Sequence, residues 1–268
     1  MKALVVFGKI VLTFAICTGL SAIFNVLMMV FIDAEEMPHI LNGPKSFFVI
    51  LGAVILMLLI FKKDRSLSLG LAGNRKPFLL LSGSLYGIVL VLVSFIAVFI
   101  VGEADFESFG ISQAIFASMG VAAILALCDS ITEEILFRGY IQEMIKRSFG
   151  IWSGIIISAI PFAALHALGH DVLSNPLVLI NLALAGVFLA LLREMTGSLW
   201  LPIGFHFAWN TVNRFIGTED SLIQIQLGPN EWISGGSQGF DAGLANTLIM
   251  TTLIVVCSFW LSRVRKSS

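Results

Sequence analysis

Charge is scarce in this sequence. Asp, Glu, Lys and Arg supply only 12% of its 268 residues while apolar types supply 57%, and the mean hydropathy is +0.96. A soluble core of that length cannot bury so much apolar surface, which leaves a polytopic membrane protein. Cysteine is scarce too. Cys17, Cys128 and Cys257 stand in separate apolar runs without C-x-x-C spacing, which argues against disulfides, a zinc knuckle or redox chemistry. No basic stripe suits a nucleic-acid partner. Internal repeats, low-complexity linkers and matched pairs of Gly/Pro-broken helices are missing as well, which weakens a secondary-transporter reading. The apolar run after Lys2 extends to Ile32, too long for a signal-peptide core and without a small-x-small cleavage site, so it reads as a retained first span.

With about 20 apolar residues needed per crossing, the chain divides into about eight spans. They run near Val11 to Ile32, Phe47 to Phe61, Phe78 to Val101, Ile111 to Phe137, Ile151 to Leu168, Leu177 to Leu192, Ser198 to Phe215 and Gly243 to Leu261. The expected fold is an all-α transmembrane helical bundle forming a single integral-membrane domain over residues 1–268. Connections alternate in charge. Lys62, Lys63, Arg65, Arg75 and Lys76, then Lys146 and Arg147, then Arg193, then Arg263, Arg265 and Lys266 mark one side. Asp33, Glu35 and Glu36, then Glu103, Asp105 and Glu107, then Glu219, Asp220, Glu231 and Asp241 mark the other. The positive-inside rule puts both termini in the cytoplasm, in the cell membrane if the source is bacterial.

Against that background Glu133, Glu134 and Arg138 are conspicuous, because an ionised side chain in hydrocarbon costs several kcal/mol unless it is partnered or functional. Glu134 and Arg138 are four apart with the acid on the N-terminal side, a favourable helical pair. Glu133 projects about 100° away, has Phe137 rather than a cation at i+4, and is free to face a wet cavity as a general base. Counted from the Ser148-Phe149-Gly150 turn, Glu133 lies about fifteen residues back and His166 about seventeen on, so a helical hairpin brings both to a depth of about 23–26 Å. His206 joins them if the hairpins are offset. His206, Asn210 and Asn213 share one helical seam and can donate hydrogen bonds to an oxyanion. Pro161 can kink the fifth span just before His166, Phe162 packs, and Trp209 suits a cavity wall. His170 reads as solvated loop and His39 has no assigned role.

These residues resemble three motifs of the CPBP family of intramembrane proteases, the CAAX-processing and bacteriocin-processing enzymes also called Abi proteins. Glu133-Glu134-Ile-Leu-Phe-Arg138 resembles its Glu-Glu-x-x-x-Arg, Phe162-Ala-Ala-Leu-His166 its Phe-x-x-x-His, and His206-Phe-Ala-Trp-Asn210 its His-x-x-x-Asn. The motif-bearing core covers residues 111–216. The resemblance implies a CAAX-protease-like helical core with a conical cavity open to the cytoplasm and bilayer, and cleavage near the cytoplasmic side. It implies that Glu133 and His166 deprotonate the attacking water and that His206 and Asn210 stabilise the tetrahedral oxyanion, with Glu134, Arg138 and Phe162 in support.

A metal is a second possibility at the same place. Glu133, His166 and His206 form a possible three-ligand zinc set with an open fourth position. The helix lacks His-Glu-x-x-His, however, and direct activation of water by glutamate is the preferred reading. The alternative to an enzyme is an inactive immunity or scaffold protein that binds a peptide or partner helix in the same cavity, and a proton-coupled transporter ranks third. Expected partners are a peptide or membrane-protein substrate and the surrounding lipid. Neither the substrate nor any dependence on prenyl groups is legible in the chain.

Overall fold

Backbone N–H and C=O groups in hydrocarbon must be satisfied within their own segment, and each long apolar run of this chain is helical. The structure is a computed structural model that describes residues 1–29, 42–168, 175–217 and 221–267. Among these, the long helices are α1 (Lys2–Met29), α2 (Asn42–Ile60), α3 (Lys76–Ile100), α4 (Gln113–Phe149), α5 (Ile151–Ala167), α6 (Leu177–Thr196), α7 (Trp200–Phe215) and α8 (Leu244–Ser267). α1, α3, α4, α6 and α8 are long and apolar enough to cross a membrane. α2 and α5 are shorter apolar helices, and α7 carries the polar seam into the middle of the bundle. The fold is an all-α polytopic bundle.

One expected boundary moves. The first helix starts at Lys2 rather than Val11, because Lys9 is neutralised by Asp64, its Nζ lying 2.7 Å from the carboxylate. The fourth runs to Phe149 as one helix with a wide π-type turn at Ile135–Ile141, where the Gln142 N–H bonds five residues back to Phe137 O. Ser112 caps its start by accepting from the Ile115 N–H at 3.1 Å. Gly150, at φ 91°, makes the one-residue reversal into α5 that a side chain would strain.

The acidic connections are not all loop. β1 (Ala104–Phe109) pairs antiparallel with β3 (Ile223–Leu227), and the two-residue β2 (Ile216–Gly217) pairs with β3 in parallel, giving the order β1-β3-β2. The sheet closes one end of the bundle, where Ile216, Ile225 and Phe240 pack against Val91 and Val98 of α3. The other end is stitched by charge. Lys146 lies 3.0 Å from Glu194, Arg193 donates to Ser68 O at 3.0 Å, Arg147 to Ser66, and Tyr140 to Asp64 at 3.0 Å. The expected acidic loop residues Asp33, Glu35, Glu36, Glu219 and Asp220 lie outside the described residues, as do His39 and His170.

α7 is held against α3 by glycine. A methyl group at Gly204 would overlap the carbonyl oxygen of Leu80, and one at Gly83 that of Leu201, so the two backbones touch. Close approach of this kind is what small residues give membrane helices. Replacing Gly204 by Ala is expected to lower stability by about 1–3 kcal/mol through overpacking. Gly120→Ala on α4, where nothing lies within 4 Å, should be neutral or slightly stabilising. Thermal unfolding in detergent compares the two, and equal midpoints would contradict the α3–α7 contact.

Candidate active site

The π-type turn of α4 is packed inside the bundle, with every residue from Ile135 to Ile141 buried. Single π turns are common at functional sites. Immediately before it stand Glu133 and Glu134. The hairpin through Gly150 brings α5 alongside, and α7 packs on the same stretch of α4, so the three expected motifs meet at one point.

Glu134 is fully buried and its Oε1 accepts two bonds, from Arg138 Nη1 at 2.8 Å and from His206 Nδ1 at 3.1 Å. Arg138 is itself only 1% exposed. Its Nη2 donates to Gly186 O on α6 at 3.2 Å, and its Cζ lies 4.2 Å from the centre of the Phe162 ring. Gly186 permits this by packing directly on Ala159 of α5. Phe162 also stacks on His166, centroids 4.2 Å apart, and its carbonyl oxygen lies 2.9 Å from His166 Nδ1.

Both histidines are therefore oriented through Nδ1. A carbonyl and an arginine-paired carboxylate only accept, so each Nδ1 carries its hydrogen and each Nε2 points inward. Glu133 Oε2 lies 3.2 Å from His166 Nε2 and 3.8 Å from His206 Nε2. The nearer approach is an ion-pair distance without the alignment of a hydrogen bond. With neutral rings, three lone pairs converge on one spot. Electrostatics then demands something positive or hydrogen-bond-donating there: a shared proton, a water or a cation.

His166 and His206 line the floor of a cavity, and Glu133 stands directly behind them with its Oε2 buried. That cavity, about 1490 Å³, is lined by Asp129 of α4, Phe162 and His166 of α5, Asn181 of α6, and His206, Trp209, Asn210 and Asn213 of α7. Asn210 is half-buried on its wall and has no hydrogen-bond partner among the described residues. Asn213, one turn on, is tied to Asp241, as is Trp209 Nε1, each at 3.1 Å. Trp200 lies elsewhere, donating to Leu71 O at 3.1 Å.

Three features escape sequence reasoning. Glu134 serves His206 as well as Arg138, a link that needs the α4–α7 packing to be seen. Asp129, one turn before Glu133, adds a second carboxylate to the cavity wall; its i,i+4 spacing in an apolar run was the available signal. The third concerns direction. The cavity runs from the histidines toward the sheet and residues 236–242, and its lining includes none of the basic connections.

The comparisons bear on the same segment. Residues 114–212 match the family described as "Type II CAAX prenyl endopeptidase Rce1-like", a stretch that holds all seven motif residues singled out above. The chain is also 34% identical over 109 residues to an uncharacterized protein, YpbD, of Bacillus subtilis (strain 168), across 40% of this chain and 52% of that protein. It thus spans about half the length of that relative.

Proposed function

From the premise that this chain carries the Rce1-like core of a CPBP-family protein, we propose that it is an intramembrane endopeptidase whose water is activated by Glu133 and His166. The observation that carries the proposal is the convergence of the Glu133 carboxylate and two Nδ1-anchored imidazoles on one point, with both imidazoles lining a cavity. Residues 111–216 act as the motif-bearing core of a single membrane domain.

A water in that point donates one hydrogen to Glu133, which takes the proton as oxygen attacks the scissile carbonyl carbon. The carbonyl π electrons move to oxygen. The resulting oxyanion is stabilised by the Asn210 carboxamide and by the His206 ring, which the Glu134 carboxylate holds in place through Nδ1. Collapse of the tetrahedral intermediate breaks the C–N bond, and the Glu133–His166 pair returns a proton to the leaving amine. Anchoring of both rings matters because a donor aimed in advance costs no reorganisation during the reaction.

The same donor set fits a metal. Two Nε2 atoms and a carboxylate oxygen lie within 4.8 Å of one another, and each ring's other nitrogen is already committed to oxygen, which is how a zinc-binding histidine is usually oriented. Glu133, His166 and His206 would hold the ion, which would polarise the scissile carbonyl and acidify water. Chelation separates the readings. Activity of detergent-solubilised protein on a quenched peptide library is expected to survive 1,10-phenanthroline and dialysis within about twofold, since proton transfer to glutamate needs no Lewis acid. A loss restored by zinc would replace the glutamate mechanism with the metal one, and no cleavage under any condition would favour the scaffold reading.

A further inference from the structure

We infer that Asp129 is a specificity-determining residue of this site, and that its carboxylate receives the ammonium or guanidinium of a Lys or Arg side chain one or two residues from the scissile bond. The inference rests on the endopeptidase reading for the scissile bond, and on the placement of Asp129 for the preference.

A carboxylate inside a membrane-spanning helix costs several kcal/mol unless it is paired or has a task. The neighbouring acids of α4 are accounted for, since Glu133 lies 3.2 Å from His166 and Glu134 holds both Arg138 and His206. Asp129 is not. It is half-buried and lines the cavity, and its carboxylate makes no hydrogen bond or ion pair among the described residues; Thr132 bonds only to its backbone oxygen, at 3.1 Å. The other charged side chains of the cavity wall do not neutralise it. Asp241 is taken up by Trp209 and Asn213, and Arg214, exposed on α7, lies within its field but forms no ion pair with it. Asp129 thus offers the cavity a negative charge with its counter-charge still to come.

Its position sets which part of a substrate would supply that charge. Asp129 and Glu133 are four residues apart on one face of α4, about 6 Å along the helix axis. Extended peptide advances about 3.3 Å per residue. A substrate whose carbonyl carbon is held at Glu133 and His166 therefore presents to Asp129 the side chain one or two positions away. An apolar side chain there leaves the carboxylate unpaired, and an acidic one is repelled. Lys and Arg suit both the charge and the wall, because the alkyl stem can lie on Ala122, Leu125 and Ala126, the cavity-lining turn before Asp129, while the head reaches the carboxylate. Partial burial makes such a charge-assisted bond stronger than it is in open water.

The test compares N-acetylated peptides, so that the side chain is their one cation, carrying either Lys or norleucine at each position around a cleavage site mapped by mass spectrometry. Wild type, Asp129→Asn and Asp129→Glu are assayed in detergent beside a thermal melt. At one position wild type is expected to prefer Lys in kcat/KM by about thirtyfold, the weight of a hydrogen bond between charged groups. Asp129→Asn should bring that ratio close to one, and Asp129→Glu should retain it. Absence of any Lys preference in wild type overturns the inference whatever the variants do. So does a preference that survives Asp129→Asn, including an equal loss on both peptides, which would place Asp129 in the chemistry or the fold. If wild type cleaves nothing, the peptidase reading fails, and fluorescence anisotropy of the same peptides decides the subsite by itself. Tighter binding of the Lys peptide, abolished by Asp129→Asn, would uphold it; equal binding, or none, would overturn it.

Discussion

Glu133→Gln should reduce kcat/KM for peptide cleavage by about a thousandfold, within the range of 10²–10⁴ for loss of a positioned general base, while leaving the fold intact. A thousandfold corresponds to about 4 kcal/mol of transition-state stabilisation. The amide matches the carboxylate in shape, and its NH₂ can donate to His166 Nε2, which lies 3.2 Å from Oε2 in the native cluster. The ring therefore keeps its place and its Nδ1 bond to Phe162 O. What is lost is the ability to take a proton from water. Equal shape and a retained contact to His166 keep the change small in stability, so the unfolding midpoint should stay within about a few degrees of wild type. Single-turnover rates with a quenched peptide, measured beside a thermal melt, separate chemistry from folding. A rate within threefold of wild type would remove Glu133 from the mechanism, and unaltered biological function with this variant would point to the scaffold alternative.

Much of the arrangement was legible because it is local. Glu134 and Arg138 are one helical turn apart, and the Glu133–His166 contact follows from equal distances to a reversal as short as Gly150. The partnership of Glu134 with His206 was not, since it spans 72 residues and depends on how α7 is drawn against α3 and α4 by Gly204 and Gly83. The sheet was hidden for a different reason. Ala104–Phe109 alternates acidic and aromatic residues and reads as a charged loop until Ile223–Leu227, more than a hundred positions on, supplies its partner. The reach of the cavity toward the sheet was hidden too, because residues 236–242 lie in a connection that the motifs do not include.

Arg138→Ala should be the most destabilising single change in the chain, at about 3–5 kcal/mol, because it leaves a carboxylate buried with no counter-charge. Glu134 is 0% and Arg138 1% exposed, and neither has a route to water over which to relax. The guanidinium also holds Gly186 O and lies over Phe162, so its removal unties α6 from α4 and loosens the ring against which His166 stacks. The loss alone does not show that the pair favours stability, since deleting one charge measures the penalty on the other. A second variant distinguishes the two. Arg138→Met combined with Glu134→Leu removes both charges and replaces them with apolar volume, which should recover most of the stability measured by unfolding in SDS. It should not recover cleavage, because His206 Nδ1 then has no acceptor and the ring is free to turn its Nε2 away from Glu133. Stability and activity restored together would mean that Glu134 and Arg138 are only a structural clamp. Stability restored without activity would mark Glu134 as the group that aims His206, leaving the buried ion pair as the means of keeping that carboxylate charged inside the membrane.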